Sequence, residues 1–576
     1  MVDPYKMVAI NTIASIVILF GILFFKICYP KRSINLFVLL VLISLLPTIS
    51  MLRDGAYESG DFNIHIYRTI SFYQSLSEGN LMPSWAGDLN ATYGYPLFIF
   101  NYPLPYYLVS FFHFLGFTFI TSMKLFLASN LIVSGIFMYL FSKTITKNNL
   151  AAFTSAIFYI FAPYYLIDVH FKIVIGEVLF FTLLPLSFLL MYKLYDKKTI
   201  ILLFLSALSI AGLIMSHAAV GVFAVALVLS YLFFLSWQNK FRNKPVLNIL
   251  ALVIAGVISL YAWFGPSFLS QYSFIQKIKL TTVYFPTLAD LLFSPWRFGF
   301  LFQGPKGEIS HLIGYVHIFV ILAFLFIISR KKQNKYRPHY IFWTSIIFIS
   351  IFFVLPYSKF IWENLSYLKV VGSQRLLIIV AFAISILAGY FVIVIKKPWI
   401  IYALVVATIG ITILNWGHRK VIPTIDDNFL KSNLWKSTSQ GEAHFYANTK
   451  WVDVKKPWFS VLPKNHAEII SGNGEIKNIF RTSTNHKYSI TAKTPLEIQE
   501  NTLYFPGWKG FVNGIETSLS PSNRGVIQTT IPKGSSTLEI TYQDIFTYKL
   551  LKIISIATLS FVLILLLMQF KIKPKH

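Results

Sequence analysis

The stretch "LLIIVAFAISILAGYFVIVIKK", residues 376–397, runs for twenty residues without a charge and ends in a lysine pair. A helix of that length covers about 30 Å, the thickness of a bilayer's hydrocarbon layer. Comparable runs begin near residues 7, 33, 121, 149, 176, 199, 219, 246, 311, 340, 376, 399 and 549. About thirteen crossings are expected. The whole chain agrees: 576 residues that are 56% hydrophobic and 13% charged carry more apolar surface than a soluble fold of this length could hide. The first run, Met7 to Phe25, lacks a basic start and a small-residue cleavage site, so it reads as a retained span.

A net charge of +27 would suggest nucleic acid in a soluble protein. Here much of it falls in short loops between spans, which is a topology signal, and no nucleic-acid partner is expected. The clusters are Lys26/Lys31/Arg32, Lys143/Lys147, Lys197/Lys198, Lys240/Arg242/Lys244, Arg330/Lys331/Lys332, Lys396/Lys397 and Lys571/Lys573/Lys575. All fall on one side if Pro105–Phe117 lies in the interface instead of crossing. That side is cytoplasmic, in a multi-pass protein of the plasma membrane. The long loops 53–120, 265–310, 357–374 and 417–548, with the polar turn Asp168–Lys172, then face outward. Any chemistry is expected there. The single Cys28 excludes an intramolecular disulfide.

Residues 1–416 therefore form a polytopic α-helical membrane domain with a large first external loop, 53–120. Residues 417–548 form an extracytoplasmic β-sandwich-like or jelly-roll-like domain before the last transmembrane helix and basic tail, 549–576. The β reading rests on period-two patterns such as "HKYSITAKT" and "STLEITYQ". In "FVNGIE", Asn513-Gly514 can supply the positive φ angles of a type I′ hairpin turn.

The first external loop, "ESGDFNIHIYRTISFYQSLSEGNLMPSWAGDLNATYGYPLFIFNYPLPYYL" (58–108), is polar and heavily punctuated. From Asp61 it scans as an amphipathic helix. Phe62, Ile66, Ile70 and Tyr73 form an oily face that would grip the interface, while Asp61, His65 and Arg68 share another. One reading makes Asp61 an N-cap, His65 a surface residue and Arg68 a lipid-phosphate anchor. The other brings carboxylate, imidazole and guanidinium into a pocket at the membrane surface.

A second constellation is "APYYLIDVHFKIVIGEVLFF" (162–181), in which Asp168, His170 and Lys172 form an exposed turn and Glu177 opens the next span. An intramembrane acid is costly unless paired, hence a functional candidate. The plainer reading is an Asp168–Lys172 surface pair, with Glu177 bonded to a neighbouring helix. His217, Arg297 and Arg375 are further outward-facing candidates for substrate, with helix capping or lipid anchoring as alternatives. No P-loop, GxGxxG, HExxH, CxxC or GxSxG motif stands in a suitable context, so ATP-driven and redox chemistry are unsupported.

The order "GDFNIHIYR", "GYPLFIFNYPLPYYL", "APYYLIDVHFKIVIGE", "MSHAAV", "LFSPW", "IWENL…QRLL" and "LYFPGWKGFVNG" resembles the bacterial and archaeal membrane proteins termed 6-pyruvoyl-tetrahydropterin synthase-related. More distantly it is similar to the GT-C superfamily of polyprenyl-phosphate-dependent glycosyltransferases. The resemblance implies a GT-C-like fold, with one span added at the start. It implies transfer of a sugar from a polyprenyl-phosphate donor to a glycan, lipid or protein acceptor, as in cell-envelope polysaccharide assembly.

On this resemblance Asp61 matches the family's catalytic acid, and Asp168 and Glu177 keep its other acids. His170 and Lys172 stand where Tyr and Arg are usual, and Lys lacks the planar fork of Arg. His65, Arg68, Tyr95, His170, Lys172, His217, Arg297 and Arg375 would contact substrate, with Trp85, Tyr93, Tyr95 and Tyr102 offering faces to sugar rings or forming the interfacial belt. Asp168 and Glu177 would suit Mg²⁺ or Mn²⁺, although nothing in the sequence requires a metal. The alternatives are a transporter or flippase for a lipid-linked glycan, or a non-catalytic membrane scaffold. Trp451, Trp458 and Trp508 would bind acceptor glycan or belong to the β-domain core, and the core is the expected place for Trp508.

Overall fold

The computed structural model describes residues 4–274, 284–330, 335–364, 371–417, 420–422, 424–432, 434–437, 447–453, 458 and 461–571. Lys331, Lys332, Lys573 and Lys575 of the basic clusters lie outside them. Eight helices among the described residues are long and apolar enough to cross a membrane. Two bent pairs, Asn149–Ile160 with Pro163–Lys172 and Val246–Ile258 with Leu260–Tyr272, raise this to ten. Shorter apolar helices, Leu36–Leu52, Ile200–Ser216 and Tyr315–Ser329, fill the other expected positions. Every apolar run is thus helical, but fewer than thirteen are straight, full-length spans.

Two helices form the centre of the bundle, Ile175–Lys197 and Ser373–Ile395, 78% and 83% buried. Small residues bring the helices around them together. A Cβ on Gly389 would lie 2.3 Å from Ser155 Oγ, and Ser142 and Ser155 share a 2.8 Å hydrogen bond. Without a hydrophobic drive between helices in lipid, such close backbone approach supplies the cohesion. By contrast Lys6–Cys28 is only 6% buried and stands at the periphery.

The bend after Asn149–Ile160 prepares the site. Pro163 opens a new short helix, Pro163–Ile167, because it cannot donate to the preceding turn. The chain then widens into a π turn, Asp168–Lys172, and stops at Ile173 with a left-handed φ of 55°. The last carbonyls of this turn accept from the first long loop: Gly60 N donates to Phe171 O at 2.8 Å and Asp61 N to Lys172 O at 2.9 Å. Gly60 permits that approach, since a Cβ there would sit 3.0 Å from Lys172 O.

The loop helix Phe62–Ser77 and the short helix Leu104–Phe114 both form. The expected division of the loop helix into an oily face at the interface and a polar face elsewhere does not hold. Phe62, Ile66, His65 and Arg68 are all buried, so the helix is packed into protein on both sides.

The β-domain is a sandwich of antiparallel sheets whose strands run from Ala467 to Tyr542. In one sheet the order is Ala467–Ser471, Leu496–Leu503, Val526–Ile531, Ser520–Pro521. In the other it is Gly474–Arg481, Asn485–Ala492, Gly534–Tyr542, Trp508–Val512, Ile515–Thr517. The Asn513-Gly514 hairpin forms as expected, with φ of 51° and 81° and Val512 opposite Ile515. Among the described residues between Gly417 and Ala467 only Val421–Ile422 is a strand, paired with Ala56–Tyr57. Trp508 is core, edge-on to Trp85 of the first loop at 5.2 Å. Loop and sandwich share one apolar interior. Leu503 N donates to Tyr93 O and Arg481 Nη2 to Thr92 O, fastening the left-handed run Asn90–Ala91–Thr92.

Candidate functional site

Three chain segments far apart in sequence meet where the loop helix starts. Glu177, in the first turn of Ile175–Lys197, is fully buried. Its Oε1 accepts from Arg375 Nε at 2.8 Å, and its Oε2 accepts from Tyr164 Oη at 2.8 Å and from Lys172 Nζ at 3.2 Å. Lys172 Nζ also lies 2.7 Å from Asp168 Oδ1, donates to Tyr164 Oη at 3.0 Å, and sits 4.6 Å from the Tyr164 ring centre. Arg375 additionally donates to Val371 O. Two acids and two cations thus neutralise one another, as buried charges must.

The Asp168–Lys172 pair exists at the expected spacing, but the exposed turn does not. Asp168 is fully buried and His170 nearly so. The polar residues of this turn face other charges inside the protein, which periodicity does not register. The charge that acts on His170 is Arg53, which is no member of the cluster.

Asp61 stands at the rim, partly exposed, within electrostatic reach of Arg68, Lys172, Arg375 and Glu177. It holds the N-cap position, yet its carboxylate accepts nothing from the first turn; Ser59 Oγ takes the Phe62 N–H at 3.1 Å. Burial raises its pKa, and the Arg68, Lys172 and Arg375 charges only partly offset the rise. Arg68 lies fully buried two turns further along the same side of the loop helix, beside the buried Tyr95, and burial raises that phenol against the pull of Arg68.

His65 leads from Asp61 to a chain of phenols. Its Nδ1 is 3.0 Å from Tyr106 Oη, which also accepts from Asn101 Nδ2 at 3.1 Å, and its Nε2 is 3.4 Å from Tyr102 Oη. Burial, with Arg68 adding to it, holds His65 well below its ordinary pKa, so it is neutral. The Tyr102 ring packs 5.4 Å from His217, which itself neighbours Arg375 and Glu177. A Cβ on Gly176 would lie 2.8 Å from the Tyr102 ring.

The structure therefore brings together Asp61, His65, Arg68, Tyr95, Asp168, Lys172, Glu177, His217 and Arg375. It leaves out His170, and Arg297, which lies on an exposed turn of another loop. Trp85, Tyr93 and Tyr95 are buried packing residues and offer no open face to a sugar. Tyr164, Tyr106 and His311 were missed, and Tyr102 was named only as an aromatic face, whereas its hydroxyl reaches His65. Tyr164 had a signal, standing four residues before Asp168 on the same helical face. His311, held near 4 by burial and by the Lys172 charge, comes from the loop before Tyr315–Ser329 and had none.

The donor set does not fit a divalent cation. The described residues hold no group of three or more His, Cys, Asp or Glu suited to a metal. Lys172 and Arg375 already occupy both Glu177 oxygens and Asp168 Oδ1, which Mg²⁺ or Mn²⁺ would need.

A family model described as "6-pyruvoyl-tetrahydropterin synthase related domain; membrane protein" matches residues 99–421. An uncharacterized protein of Lactococcus lactis subsp. cremoris (strain MG1363) is 25% identical over 341 residues, 57% of this chain and 54% of that protein. The chain spans about half the length of this curated relative. Among solved structures it is similar to the arabinofuranosyltransferase AftD from mycobacteria, at 14% identity and a TM-score of 0.40, over 68% of this chain and 27% of that one. It is also similar to the Archaeoglobus fulgidus oligosaccharyltransferase, solved with Zn and sulfate, at 15% identity and a TM-score of 0.41, over 67% and 54%. The family match begins after Asp61 but contains Tyr164, Asp168, Lys172, Glu177, His217 and Arg375. Since it covers more than half of the chain, including every residue of the buried ion-pair cluster, the protein belongs to the 6-pyruvoyl-tetrahydropterin synthase-related family of membrane proteins.

Proposed function

We propose that this protein is a membrane glycosyltransferase that moves a sugar from a polyprenyl-phosphate donor to an acceptor hydroxyl on the outer face of the plasma membrane. The observation that carries this reading is Asp61 at the rim of a buried ion-pair cluster, with its pKa raised by burial. A carboxylate nearer neutrality is a better general base than an ordinary aspartate. The acidic end and the basic loops lie at opposite ends of the same helices. Glu177 and Lys197 are twenty residues apart in one helix, about 30 Å, so a cytoplasmic basic end would put the site outside.

In the proposed reaction Asp61 accepts the proton of the acceptor hydroxyl as its oxygen bonds to the anomeric carbon. The bond from that carbon to the phosphate oxygen breaks, and its electron pair leaves with the lipid phosphate. Arg68, Lys172 and Arg375 stabilise that charge by fixed position, which low dielectric makes effective. Asp168 and Glu177, fully buried and ion-paired, hold the two cations in place and are positioning groups. Tyr102 and His217 line the way from His65 to Arg375 and would orient the donor's sugar. No step in this reading calls on a metal. The acceptor, whether glycan, lipid or protein, would reach Asp61 from the partly exposed rim of the site.

The test is transfer by the purified full-length chain in nanodiscs, supplied with radiolabelled polyprenyl-phosphate sugars and envelope fractions as acceptors. Label moving into acceptor only with active protein supports the reading. Unaltered donor with every acceptor fraction, alongside translocation of intact donor across proteoliposomes, would replace it with the transporter reading.

A further inference from the structure

The loop before Tyr315–Ser329 carries two tight turns of opposite character. In the first, Trp296 and Leu301 bridge in antiparallel fashion and present Arg297, Phe298, Gly299 and Phe300 at the tip. In the second, Gln303 and Ile309 bridge, and two of the three exposed tip residues Pro305, Lys306 and Glu308 are charged. The apolar tip is exposed as well, and Phe298 is 94% accessible. Leu288, Leu292 and Phe293, just before it, also project outward. Water does not favour such a patch, and a contiguous one marks a binding surface.

The exposure is held by a fixed base. Leu291 and Phe302 are fully buried beneath the loop. Phe302 N donates to Asn415 Oδ1 at 2.8 Å, Asn415 Nδ2 donates to Phe300 O at 2.9 Å, and Ile313 N donates to Leu291 O at 3.0 Å. The tip backbone is left-handed at three successive residues, with φ of 47° at Arg297, 55° at Phe298 and 88° at Gly299. Non-glycine residues seldom adopt that conformation, and two together at an exposed tip direct Arg and Phe side chains outward at a conformational cost.

What covers the tip follows from its neighbour. Tyr315 Oη donates to Gly299 O at 2.9 Å, and the Phe300 and Tyr315 rings lie 6.2 Å apart. Tyr315 begins the stripe Phe319, Leu322, Phe326 on one face of Tyr315–Ser329, and all three of those residues are exposed. In a membrane protein that stripe faces lipid. The patch at Phe293, Phe298 and Phe300 continues it past the helix end.

We propose that the turn 296–301 is a membrane-interface wedge: Phe298, Phe293 and Phe300 enter the upper acyl region of the adjoining leaflet, and Arg297 meets the lipid headgroups. Aromatic rings with a cation at the end of a lipid-facing helix have the chemistry of an interfacial anchor. The proposal does not depend on glycosyl transfer.

The experiment uses the full-length chain in phospholipid nanodiscs, with Cys28→Ser removing the one native thiol and a bimane label on Phe298→Cys or, separately, on Lys306→Cys. The label at 298 is expected to be quenched strongly by lipids carrying a nitroxide near the headgroup end of the acyl chain and several-fold less than the 306 label by aqueous iodide. Phe293→Cys gives the same pattern should the first variant not assemble. A 298 label as open to iodide as the one at 306 overturns the proposal. One shielded from iodide yet blind to the lipid quencher overturns it too, since protein then covers the tip.

Discussion

Replacing Glu177 by Gln isolates the ion pair that joins the central helices at the site. The carboxylate is wholly buried and receives Arg375 at 2.8 Å, Tyr164 at 2.8 Å and Lys172 at 3.2 Å. The amide keeps the shape and an acceptor for Tyr164, so the loss is electrostatic. Lys172 keeps Asp168 at 2.7 Å, which leaves Arg375 as the group stripped of its counter-charge. Breaking a buried pair by removing one partner costs about 3–5 kcal/mol, and with one cation still matched the lower end, about 3 kcal/mol, is expected. Adding Arg375→Met removes the orphaned charge and should return about 2 kcal/mol of coupling. The assay is reversible SDS titration in mixed micelles, with Lys359→Gln as the control because its 4.0 Å pair with Glu363 is half exposed and worth about 0–1 kcal/mol. A Glu177→Gln effect no larger than the control, or strictly additive effects in the double variant, would refute the argument that these charges hold one another in place.

Other consequences are equally specific. Arg68→Gln removes a positive charge that pulls the Asp61 pKa down, so Asp61 should protonate at higher pH and the acid limb of activity should move upward, with Arg68→Lys restoring it; a limb that stays put contradicts the assignment. In the β-domain, burial pushes Glu500 up, but the His486 contact at 3.1 Å and the Arg481 charge outweigh it and hold Glu500 down at about 2. His466 is held down at about 4 by burial and by Arg481. Both folded pKa values are depressed, so the stability they confer is present at neutral pH. It is lost as pH falls, from 6.5 toward 4 for His466 and from 4.5 toward 2 for Glu500. Melting temperatures of the full chain should fall across those windows, and Glu500→Gln should flatten the lower one. Gly94 has φ of 64°, and a Cβ there would lie 2.4 Å from Trp85 Nε1. Gly94→Ala should cost about 2 kcal/mol or more through strain and displacement of Trp85, read by the same titration, and an effect near zero would mean the loop does not need its present docking.

Much of the architecture could be read from the chain because lipid acts on each segment separately. Every apolar run became a helix, and "HKYSITAKT", "STLEITYQ" and Asn513-Gly514 became strands and turn. The site was less legible. Asp61, Asp168, Glu177, Lys172 and Arg375 were named as candidates, but the pairing of Glu177 with Arg375 across 198 positions depends on how helices pack, which local periodicity does not encode. Polar residues at Asp168 and His170 suggested an exposed turn because polarity usually means water; here its role is taken by Lys172 and Arg53. The aromatics of the first loop suggested a sugar platform, yet Trp85 joins Trp508 in a shared core because the β-sandwich folds onto that loop.

The most direct measurement is single-turnover sugar transfer by purified Asp61→Asn protein, beside Glu58→Gln as a nearby exposed carboxylate that makes no part of the cluster. Loss of a general base should slow transfer by about 10²–10⁴-fold while donor binding and thermal stability stay near wild type. Transfer at the wild-type rate in Asp61→Asn protein would contradict the account.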